Sequence, residues 1–251
     1  MPSGPVALVT GSGRRRIGAC VAETLARRGY ALAIHYRRSA ADAEALAHEL
    51  RQRGAAARTW AADLRDEAAV RTLIHEIVDH FGRLDVLVHC AALWESKPLE
   101  EVTADDVRRH LDTNTLATFL CCQHAGLTMV RQAEGGVIIL LGDWAEARPY
   151  PHYAAYFASK GAIPALTRCF AVELGRRNPR VRVNAILPGP VMLPPDLPEA
   201  ERHEAISATL VQREGRPENV AQAVWYLIDN DFVTGDCLRV DGGRTVWAQG
   251  F

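Results

Sequence analysis

Apolar and polar residues follow two alternating rhythms along this chain. Compact apolar runs, such as "VALVTG" (6–11), "ALAIHY" (31–36), "LDVLVHCAA" (84–92), "GVIILLGD" (136–143) and "VRVNAILPG" (181–189), have the length and composition of buried strands. Between them, apolar residues recur at helical spacing. "IGACVAETLARRG" (17–29) stops at Gly29, and "SAADAEALAHELRQRG" (39–54) opens on Ser39 as a capping signal. "DEAAVRTLIHEIVDHFG" (66–82) is strongly amphipathic, and "ARTWAADL" (57–64) alternates as a strand. A long helical region is predicted from about Thr103 to Gln132 and another over about 153–176. Two shorter helices follow near 199–211 and 217–229, and "GDCLRVDGG" (235–243) supplies a last strand.

Seven strands separated by helices predict an α/β fold, a single-domain Rossmann-type doubly wound parallel sheet with helices on both faces. No linker or composition break divides the 251 residues. The one unusual connection is "PGPVMLPPDLPEAE" (188–201), with five prolines and no period. Long loops of this kind often close over sites, so 188–211 is expected to be a substrate lid.

Composition narrows the field. Hydrophobic content is 48% and net charge −1, so nothing points to nucleic acid or an anionic membrane surface. Six scattered cysteines, without Cys-x-x-Cys, read as reduced thiols of a cytoplasmic protein. Nine scattered histidines lack metal-ligand spacing, so no metal is expected. Of 29 basic residues only Lys97 and Lys160 are lysine. A lysine kept inside Tyr156-x-x-x-Lys160 is therefore informative, because arginine cannot replace a compact ammonium on a flexible stem.

In a doubly wound sheet, ligands bind beyond the carboxyl ends of the strands where the winding reverses. The first such turn is "TGSGRRRIG" (10–18), whose glycines permit close backbone approach and whose helix offers its N-terminus to phosphate. An NAD site usually ends the second strand with an acid. Here the strand ends "HYRRS" (35–39), with no carboxylate before Asp42, and Arg14–Arg16 lie in the first turn. Guanidinium suits a 2′-phosphate, so NADPH/NADP+ is expected. A solvated basic turn would not explain the missing acid.

"TGSGRRRIG", Asn114 in "LDTNTLATF", "YFASK" (156–160), "VRVNAILPGP" and "VDGG" (240–243) together resemble the short-chain dehydrogenase/reductases, in order and over the whole chain. "HYRRSAADAEAL", Asp143 in place of the usual serine, and Trp94 in "CAALWESKP" resemble the pteridine reductases within that family. The first turn is one residue longer than the family's usual pattern, and His89-Cys90 stands where Asn-Asn is customary. The resemblance implies a nucleotide site built from Gly11, Arg15, Arg16 and Ile17, then His35, Tyr36, Arg37 and Ser39, then Asp63 and Leu64. Cys90, Ala91, Ala92, Leu141, Pro188, Gly189 and Val191 would complete it, with Tyr156 and Lys160 at the nicotinamide. It implies Asn114, Asp143, Tyr156 and Lys160 as catalytic, Trp94, Asp143 and Tyr156 as substrate-binding, and a homotetramer.

Tyr156 and Lys160 share a helix face, and a neighbouring ammonium favours the ionised phenol. Asp143 is the puzzle. A hydroxyl can donate to an oxygen becoming an alkoxide; an ionised carboxylate repels it, by roughly 4 kcal/mol at about 4 Å and an effective dielectric near 20. That is on the order of a thousandfold in rate. An ionised Asp143 suits a C=N substrate with ring N–H groups, and burial would let it supply a proton instead. It could also merely cap its loop or pair with Arg148. The leading expectation is an NADPH-dependent reductase of a pteridine-like C=N heterocycle (a dihydropterin or dihydrofolate). Trp94 would either stack on that ring or pack in the core. The alternatives are a carbonyl reductase of the same family acting on an oxoacyl, sugar or other ketone, a non-catalytic NADP(H)-binding regulator, and a structural oligomer subunit. The last two could lose Tyr156 and Lys160, and this chain keeps both.

Overall fold

The computed structural model describes residues 4–247. Strands β1 (Val6–Thr10), β2 (Ala31–Tyr36), β3 (Ala57–Ala61), β4 (Val86–His89), β5 (Gly136–Leu141), β6 (Val181–Pro188) and β7 (Cys237–Val240) form one sheet in the order β3-β2-β1-β4-β5-β6-β7. Every pairing is parallel. The intervening helices are α1 (Ile17–Arg27), α2 (Ala40–Gln52), α3 (Glu67–Phe81), α4 (Ala104–His110), α5 (Ala117–Val130), α6 (Ala154–Lys160), α7 (Ile163–Gly175), α8 (Glu199–Ser207) and α9 (Pro217–Asp229). From β1 the chain winds outward to β3, then crosses back and builds the other half from β4. The winding reverses between β1 and β4, and a crevice opens beyond their carboxyl ends.

The apolar runs are continuous because both sheet faces are covered. In β1, Val6 and Leu8 join the layer of α3, α5 and α7, and Ala7 and Val9 join the layer of α1, α2 and α9. The α3 helix forms as its pattern predicts: Asp66 accepts from the amides of Ala68 and Ala69, and Val70, Leu73, Ile74, Ile77 and Phe81 are buried.

Five local expectations are corrected. The helix expected over 103–132 has a π-helical turn, Leu111–Leu116, between α4 and α5. There Asn114 and Thr115 hydrogen-bond to Leu93 and Ser159, and that tertiary pull accompanies the widened turn. The helix expected over 153–176 breaks at Gly161–Ala162, because Pro164 opens α7 and has no amide hydrogen to continue the ladder. The strand predicted to 64 ends at Ala61, and Ser39 precedes α2 without a side-chain cap bond. The helix expected over 199–211 is α8, which ends at Ser207. Among the described residues no helix is long and apolar enough to cross a membrane, and no group of side chains could hold a metal ion.

One buried charge ties the sheet to its covering layer. Arg182, near the start of β6, donates to the carbonyls of Leu227 (2.7 Å), Ile228 (2.8 Å) and Val233 (2.9 Å). It thereby satisfies the open C-terminal turn of α9. Arg182→Met should lower the unfolding free energy by about 2–3 kcal/mol, since it strands buried acceptors. Urea denaturation followed by circular dichroism reads that loss.

Candidate active site

The crevice between β1 and β4 is drawn tight by hydrogen bonds that use side chains as struts. Thr10 Oγ1 accepts from the amides of Cys90 (3.1 Å) and Ala91 (3.2 Å). Its own hydrogen therefore goes to His89 Nδ1, 3.1 Å away. His35 makes a second strut: Nδ1 accepts from the Gly11 amide and Nε2–H donates to the Ala62 carbonyl, both at 3.1 Å. Both rings are buried and both bonding patterns require the neutral imidazole. Burial pushes His35 down to about 4 and His89 down to about 3. His35 was expected to bind the cofactor; its ring is fully engaged in bracing the first turn.

The first turn has the shape of a dinucleotide cradle. Gly11 has φ +64°, and a Cβ there would stand 2.8 Å from Ala91 Cα. A Cβ on Gly13 would meet Ser39 Oγ at 2.6 Å and Tyr36 Cβ at 2.9 Å, so the turn lies directly on the end of β2. Helix α1 starts at Ile17 with no side-chain cap and no acid in its first turn, leaving amides for a phosphate. Arg14, Arg16, Arg37 and Arg38 are exposed and form no ion pair among the described residues. Arg15, expected at the cofactor, is paired with Glu49 and Glu23 across the helix surface. Asp63 is engaged with Arg65, which holds its carboxyl down at about 2, and Leu64 is buried. Leu141, Pro188, Gly189 and Val191 lie at or just beyond the carboxyl ends of β5 and β6. Burial pushes the Cys90 thiol up to about 12, so it is no nucleophile at neutral pH. The residues present fit a dinucleotide.

Tyr156, Asp143 and Lys160, the residues expected to react, gather beside that crevice. Tyr156 Oη donates to Asp143 Oδ2 at 2.7 Å, and Asp143 Oδ1 accepts from the Ala145 amide at 2.8 Å. Asp143 thus caps its own loop with one oxygen and holds the tyrosine with the other; Arg148 turns elsewhere, to the carbonyls of Arg244 and Trp247. Lys160 Nζ, fully buried, donates to the Leu141 carbonyl at 2.7 Å. Burial lowers its pKa to about 8, against the opposing pull of Asp143. The expected effect of the ammonium on the phenol is reversed here: burial and the adjacent Asp143 carboxylate raise Tyr156 well above the ordinary tyrosine value. Burial also raises Asp143, outweighing its bonds to Tyr156 and Ala145 and the charge of Lys160.

Asn114 serves this site from behind. Its carboxamide donates to the Leu93 carbonyl and to Ser159 Oγ, both at 2.8 Å, and accepts from the Leu93 amide at 2.7 Å. Trp94, next in the chain, is 39% exposed and stacks on Tyr153 at 5.0 Å between ring centroids. Its loop is anchored by Lys97, whose Nζ meets Asp106 Oδ2 at 2.6 Å and whose amide donates to the His152 carbonyl at 2.7 Å. Lys97 was passed over as a functional residue, although the scarcity of lysine marked it as plainly as Lys160. The strut roles of Thr10 and His89 had no such signal.

The chain is similar to known proteins over nearly its whole length. The family model described as enoyl-(acyl carrier protein) reductase matches residues 12–245. A hydroxynaphthalene reductase of Aspergillus fumigatus is 36% identical over 93% of this chain and 90% of its own. A hydroxynaphthalene reductase-like protein of Metarhizium brunneum is 34% identical over 96% of this chain and 95% of its own. Among solved structures, a dehydrogenase/reductase from Sinorhizobium meliloti superposes with a TM-score of 0.88 at 37% identity, covering 96% of this chain and 95% of the other. A short-chain dehydrogenase/reductase from Serratia marcescens gives 0.88 at 35%, covering 97% and 99%.

The two neutral histidines have a consequence for stability. Unfolded, each binds a proton below about pH 6.5. Folded, they resist protonation until about 4 and about 3. The unfolded state binds more protons across that window, so stability falls as pH drops from about 6.5 toward 4. The melting temperature should follow, and His89→Asn should make the slope shallower in calorimetry at stepped pH.

Proposed function

The chain belongs to the short-chain dehydrogenase/reductase family, and from that premise we propose that it is an NADPH-dependent reductase of a flat, fused-ring ketone. The observation that carries this reading is the 2.7 Å bond between Tyr156 Oη and Asp143 Oδ2 in a buried place where the carboxyl is driven toward its neutral form. A neutral carboxyl removes the repulsion that an ionised one would exert on a nascent alkoxide. The relatives named for hydroxynaphthalenes support a carbonyl on a fused ring, since such phenols have keto tautomers. They turn the reading away from the pteridine expected from sequence.

The first turn, the open start of α1 and the arginines after β2 would hold the dinucleotide. When bound, its nicotinamide supplies the hydride. The chain's own residues handle the proton. Tyr156 Oη–H turns from Asp143 to the substrate oxygen and gives its proton to the oxygen that becomes the alcohol. Asp143 Oδ2, which accepts the Tyr156 hydrogen at 2.7 Å, is placed to exchange a proton with it. Lys160, tied to Leu141, supplies positive charge that limits how far the phenolate is disfavoured while it exists. Trp94 and Tyr153 offer ring faces to a planar substrate, and the 188–211 segment is its lid. Four copies would pack through α5 and α7, where Phe119 and Val172 are exposed. The free thiols suit the cytoplasm.

A second reading has one observation in its favour. Both oxygens of Asp143 accept hydrogen bonds, from Ala145 and Tyr156, which is the behaviour of a carboxylate able to receive ring N–H groups of a pterin.

NADPH oxidation with tetralone and with dihydrobiopterin separates the two. On the ketone reading, tetralone is turned over and the rate falls as pH rises through the raised pKa of Asp143. Asp143→Ser keeps the ketone activity and flattens that profile. Turnover of the pterin alone, abolished by Asp143→Ser, would overturn the ketone reading. Cofactor choice is tested by Arg37→Asp, which should shift the NADPH-to-NADH preference toward NADH by about tenfold or more in kcat/KM.

A further inference from the structure

A chain of aromatic contacts links the reacting tyrosine through Tyr153 and Tyr150 to the buried Trp144, whose ring lies under a cation. Tyr153 lies 6.3 Å from Tyr156, Tyr150 lies 5.1 Å from Tyr153, and Trp144 stacks on Tyr150 at 6.3 Å. The Arg244 guanidinium sits over the Trp144 ring, 5.1 Å from its centroid. A second arginine holds that residue in place: Arg148 Nη1 donates to the carbonyls of Arg244 (3.2 Å) and Trp247 (2.5 Å), clipping the chain's last described residues onto the loop after Asp143.

The charge of Arg244 is poorly answered. Among the described residues its guanidinium makes one hydrogen bond, a long one of 3.5 Å from Nη1 to the Glu204 carbonyl on α8. Among the described residues neither Arg244 nor Arg148 forms an ion pair, and the exposed Glu204 carboxylate acts on Arg244 only from a distance. Burial and the charge of Arg148 both work against the Arg244 cation, which stays charged regardless. Two guanidiniums held together, one half-buried, are costly unless an anion meets them. Arg244 also stands where α8, the loop after Asp143 and the last described residues meet, at the other end of this chain of ring contacts from Tyr156.

We propose that Arg244, backed by Arg148, anchors an anionic oxygen group of the substrate, so that the enzyme takes fused-ring ketones carrying a carboxylate at the end remote from the reacting carbonyl. This rests on the ketone-reductase reading. The aromatic row holds the ring plane, Tyr156 and Asp143 meet the ketone, and Arg244 fixes which way round the ring lies.

The test compares a tetralone carboxylic acid with its methyl ester, using NADPH and the wild type, Arg244→Gln, Arg244→Lys and Arg148→Gln. The acid should be preferred in the wild type, and Arg244→Gln should raise its KM about tenfold while kcat stays within about twofold and the ester is unaffected. Arg244→Lys should restore part of the preference. Equal use of acid and ester by the wild type, or an equal loss for both in Arg244→Gln, would overturn the anchor. Titration calorimetry of the acid and the ester against enzyme loaded with NADP+ gives a readout independent of turnover. If no tetralone is reduced, the ketone reading fails; acid-selective binding lost in Arg244→Gln would still uphold the anchor, and binding without charge preference would sink it as well.

Discussion

The carboxamide of Asn114 is the joint on which the site depends. It reaches from the π-helical turn to both backbone groups of Leu93 and to the hydroxyl of Ser159. The first contact sets the loop that carries Trp94, and the second sets the helix that carries Tyr156 and Lys160. A buried amide with its bonds satisfied in this way fixes orientation more firmly than apolar packing, because each alternative arrangement leaves a polar group unpaired. Ser159 passes the restraint on by donating to the Tyr156 carbonyl at 2.6 Å.

Against that rigid background, a carboxylate where a hydroxyl is usual becomes intelligible. Asp143 is not a serine with added charge. Its second oxygen is committed to the Ala145 amide, so the carboxyl is also a structural cap and cannot rotate freely. What remains is one oxygen directed at Tyr156 in a poorly solvated place. Desolvation opposes the charge, and Lys160 and the two hydrogen bonds defend it. Burial therefore raises its pKa, and the Lys160 charge and the bonds from Tyr156 and Ala145 limit that rise.

The fold was legible because its signals are local and repeated. Apolar runs in β1 and β4 announce strands covered on both sides, and Asp66 with its following apolar spacing announces α3. The closeness of Tyr156 and Lys160 was legible because residues four apart on a helix share a face. The rest depends on partners far away in sequence. Nothing between 103 and 132 shows a widened turn, because its bonds go to Leu93 and Ser159. His35 looked like a ligand-facing residue at a strand end, but its ring turns inward to Gly11 and Ala62. Lys97 could have been found from the rarity of lysine, and Arg244 could not, since its meaning lies in the Trp144 ring beneath it.

The π-helical turn bears on how such a protein can change over time. One extra residue in a helical turn advances every later side chain by about 100° around the axis. Residues on α4 and those on α5 therefore occupy independent angular frames within one continuous rod. Mutations that alter Leu116 or Phe119 on its outer surface need not rotate Asn114, and mutations near the loop it secures need not disturb that surface. The irregular turn acts as a phase break, setting the exposed face of α5 at Phe119 apart from the face on which Asn114 meets Leu93 and Ser159.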